Sequence, residues 1–324
     1  MAKKKSRLVF INGNFVKEED AKVSIYDSSL MFGDMVFEMT RSFNGKQFKL
    51  REHLERLFLG AKILRIPIKL NIKQVENKCY ETIERNSNFF KKSDEHRLLI
   101  EVSRGILDIY KNDTKIHRGS NLIIADFPLR WTVQNMAHLF NKGIKCVIPS
   151  QRAIPSRYLD SKIKNRNRIF YLMANIEASM FEGKDIWPIL LDDQGFISEG
   201  SGDNFFIIKN QKLITPEGRN LLRGISRDYI VNDLAGELGI EVIEKNIEPY
   251  DVYSADEAFI SATPFCMLPV VSLNNIKIGN GKVGKIYNKF LETWSRNVGV
   301  NIKSQIKNWD RKKKLKVTPY RFKK

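Results

Sequence analysis

Hydrophobic and polar positions follow two periods along this chain, and each change of period marks an element. Leu8 to Val16 is an apolar run broken at Asn12-Gly13, which predicts an antiparallel hairpin. Val36 to Phe43 and Gln47 to Leu50 repeat the pattern across Asn44-Gly45. From Arg51 to Leu64 the period lengthens: Leu54, Leu57, Phe58, Ala61 and Leu64 recur at helical spacing, with Glu52, Glu55, Arg56 and Lys62 supplying the other side. On that pattern alone Arg56 reads as a solvated residue. Ile72 to Arg85 predicts a second helix, and Arg97 to Ser103 and Asn121 to Asp126 predict strands. Antiparallel hairpins so early, with no glycine fingerprint after a first strand, argue against a dinucleotide-binding domain.

The second half alternates strands with shorter helices. Cys146 to Pro149 predicts a strand, and the aperiodic SQRAIPSRYLDSK that follows predicts a loop carrying the chain into a site. Arg168 to Phe181 predicts a helix with Ile169, Leu172, Met173 and Ile176 on one face. The strand IWPILLD stops at the turn Asp192-Asp193-Gln194-Gly195, and the next strand begins at Phe196. Phe205 to Ile208 and Lys212 to Thr215 predict a hairpin. Ser226 is placed to cap a helix from Arg227 to Leu238 that Gly239 ends. Strands at Ile240 to Glu244 and Glu257 to Ser261 flank a short helix at Pro249 to Ser254, and Lys285 to Trp294 is the last helix of the domain. The organisation expected is α/β of the α+β type: a small antiparallel-sheet domain over residues 1–128, a connection over 129–137, a larger domain over 138–300 and a basic extension over 301–324.

Length and composition fit that division, since 324 residues with 42% hydrophobic content can fill two cores. The three cysteines, Cys79, Cys146 and Cys266, have neither metal-ligand nor paired spacing, which argues against structural zinc and for a reducing compartment. No secretory signal and no membrane-length apolar run is present, so the expectation is a cytoplasmic protein. The formal charge of +18 is concentrated at one end, where residues 303–324 hold ten Lys or Arg against Asp310 alone. Such a tail invites a nucleic-acid reading, but no recognition motif accompanies it, and a solvated basic extension is preferred.

Four features carry chemistry: Lys164 ahead of a helix, Glu199 ahead of a glycine-rich turn, the Gly-Ile-Ser at residues 224–226, and the Ser-Ala-Thr at 261–263. A lysine amine can form a Schiff base with an aldehyde cofactor, and a carboxylate can keep the ring nitrogen of pyridoxal phosphate (PLP) protonated. A helix N-terminus, an arginine and backbone donors beside Thr263 can hold its phosphate.

The chain resembles the fold type IV PLP enzymes at LMFGDMVFEMTR, FKLREHLERLFLGAKIL, IKNRN followed by LMANIEA, DDQGFISEGSGDNFFI, LLRGISRD and ADEAFISATPFCMLPV. That group holds branched-chain aminotransferases, D-amino-acid aminotransferases and aminodeoxychorismate lyases, and the resemblance covers nearly everything before the basic tail. It implies that Lys164 is the Schiff-base lysine and proton carrier, that Glu199 pairs with the pyridine nitrogen, and that Asn204 supports the turn carrying Glu199. Arg56 becomes a phosphate ligand with the backbone of Ile225 and Ser226 and with Thr263, the reverse of its reading from periodicity. Phe37 matches an aromatic pocket position, and Arg41 is a candidate for a substrate carboxylate. The implied activity is transfer of the amino group of a branched-chain or other apolar amino acid to 2-oxoglutarate, by a homodimer in which each small domain helps to shape the other subunit's site.

Subclass signals divide. EGSGDN is most similar to the branched-chain group, whereas Asn167-Arg168 resembles the lyases, which release pyruvate and 4-aminobenzoate. The alternative is therefore a lyase. A D-amino-acid aminotransferase is a further alternative, although ILDIYKND lacks that group's Arg-x-His carboxylate trap. The branched-chain group carries a tyrosine five positions after its lysine, where this chain has Ile169.

Overall fold

The structure is a computed structural model that describes residues 6–110 and 117–310. Most of the basic tail and the end of ILDIYKND lie outside the described residues. The chain divides into two compact units, Met1–Trp131 with Ile163–Asn167, and Thr132–Lys162 with Arg168–Lys324. The fold is α+β, with a small antiparallel sheet in the first unit and a larger, barrel-like mixed sheet in the second.

In the first unit, β1 (Leu8–Ile11) and β2 (Asn14–Lys17) form the hairpin expected at Asn12-Gly13, where both residues take positive φ. The 36–50 region differs from expectation. β3 (Met35–Met39) does not fold back on its own sequence. Only β4 (Ser42–Phe43) and β5 (Lys46–Gln47) pair across Asn44-Gly45, while β3 pairs along its length with β6 (His96–Ser103). β7 (Asn121–Pro128) completes the order β2-β1-β7-β6-β3. Non-local pairing wins because alternate residues of β6, namely Leu98, Ile100 and Val102, are buried in a core that also takes Val36 from β3. That core is closed by helix α1 (Leu50–Ile63) through Leu54, Leu57 and Ala61, and by α2 (Ile72–Asn86) through Val75 and Cys79. An Asn71/Gln74 capping box starts α2.

β3 is an edge strand, and the short segment 163–167 covers it. Asn165 bridges Val36, the Phe37 N–H donates to the Lys164 carbonyl at 3.0 Å, and Ile163 enters the core.

In the second unit, β8 (Ile144–Val147), β9 (Ile186–Leu191), β10 (Ile197–Gly200), β11 (Asn204–Lys209), β12 (Lys212–Thr215), β13 (Val242–Glu244), β14 (Glu257–Ala262), β15 (Cys266–Leu273) and β16 (Ile276–Lys277) share one sheet. Because β10 pairs with both β9 and β11, the strands β10-β9-β8-β15-β14-β11 close into a ring, which removes two edges. Helix Lys285–Asn297 packs Tyr287 and Phe290 against Phe259 of β14. A further helix, Ile302–Asn308, buries Ile302 and Ile306.

Two local expectations are corrected. The helix expected over 168–181 spans Ile169–Ala178, and its buried face is Tyr171, Ala174 and Ala178, while Ile169 is 68% and Met173 50% exposed. The small alanines allow the helix to lie close to β9, where Tyr171 and Ala174 cluster with Ala153 and Leu190. Ser226 is not a cap: Gly224, in extended conformation, is the N-cap, and helical residues begin at Ile225. They run to Glu237 through a π-helical stretch at Tyr229–Leu234.

Candidate active site

In the second unit the site residues gather through strand register. Glu199 pairs with Asn204 across the β10–β11 turn, and Asn204 pairs with Ser261 of β14. Three adjacent strands therefore bring Glu199, Asn204 and the start of Ser-Ala-Thr side by side, with Thr263 in the turn that follows β14. The helix start joins them. A Cβ at Gly224 would meet Asn204 Oδ1, so a larger residue there would have to displace the amide that ties the Glu199 turn to the helix start.

Glu199 is buried and accepts hydrogen bonds from three neutral donors, among its other contacts. Oε1 accepts from the Tyr171 phenol at 2.5 Å, and Oε2 accepts from the Leu222 N–H at 3.1 Å and from Asn204 Nδ2 at 3.3 Å. Asn204 Nδ2 also donates to the Leu222 carbonyl at 2.9 Å, which ties the Glu199 turn to the segment leading into the helix. Burial, and then the charge of Glu199, push both the Tyr171 phenol and the Asp203 carboxyl well above their ordinary ranges. Tyr171 thus stays a donor, and the Asp203 carboxyl is driven toward its protonated form. Ser261 Oγ is buried and finds no partner among the described residues. An orphaned hydroxyl, a buried anion and a helix start with no side-chain cap make a donor-rich corner that fits a phosphorylated pyridine.

In the first unit Lys164 is fixed through its backbone on the edge of β3, with Nζ 4.9 Å from the centre of the Phe37 ring. The Arg166 guanidinium lies over the same ring at 3.7 Å and pairs with Glu101. Arg41 is buried, its guanidinium 3.8 Å over Phe43. Arg56 is not a solvated residue. Its Nε and Nη2 donate to Glu38 Oε1 and Oε2 at 2.6 and 2.8 Å, and His53 Nδ1 approaches Oε2 at 2.7 Å.

Burial alone would raise the Glu38 carboxyl, but Arg56 and His53 more than offset it and hold it far below the carboxylate range. His53 is lowered by burial, which outweighs the pull of Glu38. The sequence pattern missed Glu38, His53 and Tyr171. A signal for the first two existed: Glu38 alternates with Phe37 on a strand, so it faces away from the aromatic side, and His53 and Arg56 lie three apart on one helix face.

Residues 35–273 match the family described as amino-transferase class IV. The branched-chain-amino-acid aminotransferase of Escherichia coli K12 is 34% identical over 295 residues, covering 88% of this chain and 91% of that protein. The solved E. coli branched-chain amino acid aminotransferase superposes with a TM-score of 0.80 at 29% identity, over 95% of this chain and 97% of that one. A second solved branched-chain amino acid aminotransferase, from T.th. and complexed with N-(5'-phosphopyridoxyl)-L-glutamate, gives a TM-score of 0.78 at 27% identity, over 94% and 98%. The chain belongs to the class IV aminotransferases, the fold type IV family of PLP-dependent enzymes. Within that family it closely resembles the branched-chain amino acid aminotransferases.

Proposed function

We propose that this chain is a cytoplasmic aminotransferase that moves the amino group of a branched-chain or other apolar amino acid to 2-oxoglutarate. The observation that carries the reading is the buried Glu199 carboxylate, set by three donors beside the Gly224–Ser226 helix start and the Ser261–Thr263 turn. When bound, PLP supplies an electron-withdrawing ring that allows a proton to leave the substrate Cα. Lys164 would hold the cofactor through its amine and, once the substrate amine has displaced it, would carry the proton at Nζ from the substrate Cα to C4' of the cofactor. Glu199 faces the ring nitrogen. Arg56, the N–H groups of Ile225 and Ser226, and the Thr263 hydroxyl hold the phosphate.

The Phe37 ring walls the place of an aliphatic side chain, and the buried Arg41 guanidinium takes a substrate carboxylate. The glutamate adduct of the T.th. relative supports 2-oxoglutarate as acceptor. Exposed Ile25, Leu30 and Phe32 support the homodimer that the family resemblance implies.

The test is amino transfer from L-leucine to 2-oxoglutarate by the PLP-loaded protein, read as glutamate formed. The expected result is turnover that Lys164→Ala abolishes, together with loss of the absorbance of lysine-bound cofactor. No turnover with any apolar amino acid, but pyruvate release from aminodeoxychorismate, would replace the reading with the lyase.

A further inference from the structure

Tyr171 has no part in the roles assigned so far, yet it makes the shortest of the hydrogen bonds described above to Glu199. It is the third residue of the helix Ile169–Ala178 and is 7% exposed. Its ring packs on Phe170, with centroids 4.0 Å apart, and the Arg168 guanidinium lies 4.8 Å from its centre. Ile169, which stands where the branched-chain group places its tyrosine, points outward instead. The aromatic hydroxyl nearest to the lysine in sequence after it is therefore aimed at the carboxylate.

A carboxylate oxygen has two acceptor sites, so one that accepts from a phenol can also face a ring N–H. The shared proton then rests on whichever of nitrogen and oxygen is the more basic. Each donor to Glu199 stabilises its charged form and lowers its claim on that proton. Asn204 and the Leu222 N–H act on Oε2 and fix the turn, whereas Tyr171 acts on Oε1 without being part of the turn.

We propose that Tyr171 is a positioning residue that draws charge from Glu199, so that the proton shared with the pyridine ring of PLP stays on the ring nitrogen. This rests on the proposed pairing of Glu199 with that nitrogen. The ring withdraws electrons from Cα only while it carries the proton, so Tyr171 acts on the reaction through Glu199.

The experiment is solid-state NMR of the full-length protein loaded with ring-15N PLP, comparing wild type, Tyr171→Phe and 3-fluorotyrosine introduced at position 171. Phenylalanine keeps the packing and removes the donor, and the fluorinated phenol is a stronger donor. The ring 15N resonance is expected to move toward the unprotonated position in Tyr171→Phe and the opposite way in the fluorinated protein. The kcat of Tyr171→Phe falls about tenfold with KM little changed, the effect of one hydrogen bond to a charged group. If Tyr171→Phe does not fold, the fluorinated protein decides alone. Resonances that coincide with wild type overturn this inference and leave the proposed function standing. Wild-type protein that takes up no PLP overturns both.

Discussion

The Glu38–His53–Arg56 cluster gives the sharpest test of how the first unit holds a guanidinium ready. Glu38→Gln keeps the shape and removes the charge. Glu38 and His53 are almost wholly buried, and Arg56 is 14% exposed at its side chain, so the arginine would be left beside a neutral amide with little water to compensate. Breaking a buried pair from one side costs about 3 kcal/mol. At a urea m-value of about 3 kcal/mol/M that is a midpoint shift of about 1 M.

The pH dependence adds a second signature. The carboxyl is held below its unfolded value, so its contribution is complete above about pH 4.3 and is lost as pH falls toward the folded pKa. His53 is also lowered, so the unfolded chain binds its proton first, and stability declines below about pH 6.5. Wild type therefore weakens steadily with acid, and below about pH 4.3 the gap between it and the variant narrows. Urea titrations at several pH values measure both, and apparent PLP affinity should fall in the variant as Arg56 loses its orientation. A midpoint shift under about 0.2 M, with parallel acid profiles, would refute the argument that this charge is structurally required.

Further outcomes follow from local geometry. Glu257 accepts the Ile286 and Tyr287 N–H groups at 2.9 and 2.8 Å and so serves as the cap of a helix whose N-cap is Gly284; Glu257→Ala should cost about 1 kcal/mol in thermal or urea unfolding. Gly105 has φ +82°, and a Cβ there would strike the Gly119 carbonyl, so Gly105→Ala should destabilise by about 2 kcal/mol, and a neutral result would mean that this turn readily rearranges.

What the sequence makes legible depends on how local its cause is. α1 could be read because Leu54, Leu57 and Ala61 answer to one core at one period. The β1–β2 hairpin was legible because Asn12-Gly13 suits a tight turn wherever it occurs. The helix after Lys164 was found but its face was not, because a helix apolar on several sides leaves the choice to its neighbour, and β9 accepts the alanines. Arg56 was opaque to periodicity since its partner, Glu38, lies 18 positions earlier on a strand. The Tyr171–Glu199 bond spans 28 positions, and its ends meet because the helix carrying Tyr171 packs on β9, the strand paired with β10. Family motifs named Lys164 and Glu199; nothing in their spacing indicated that the lysine segment would bridge Val36 at the edge of β3.

That bridge has a consequence for synthesis. Ile163–Asn167 packs with the first unit, although the chain on either side of it packs with the second. A ribosome that has delivered all of residues 1–131 has not yet delivered the cover for β3, so a nascent chain carries an open strand edge until residue 167 emerges. The same threading means that the units are joined at three places along the chain, and one proteolytic cut after residue 131 leaves part of the first unit, residues 163–167, on the other fragment. A fragment ending there would lack Lys164 and would present its unpaired strand to other copies, so the residue assigned to catalysis arrives on the piece of chain that finishes the fold.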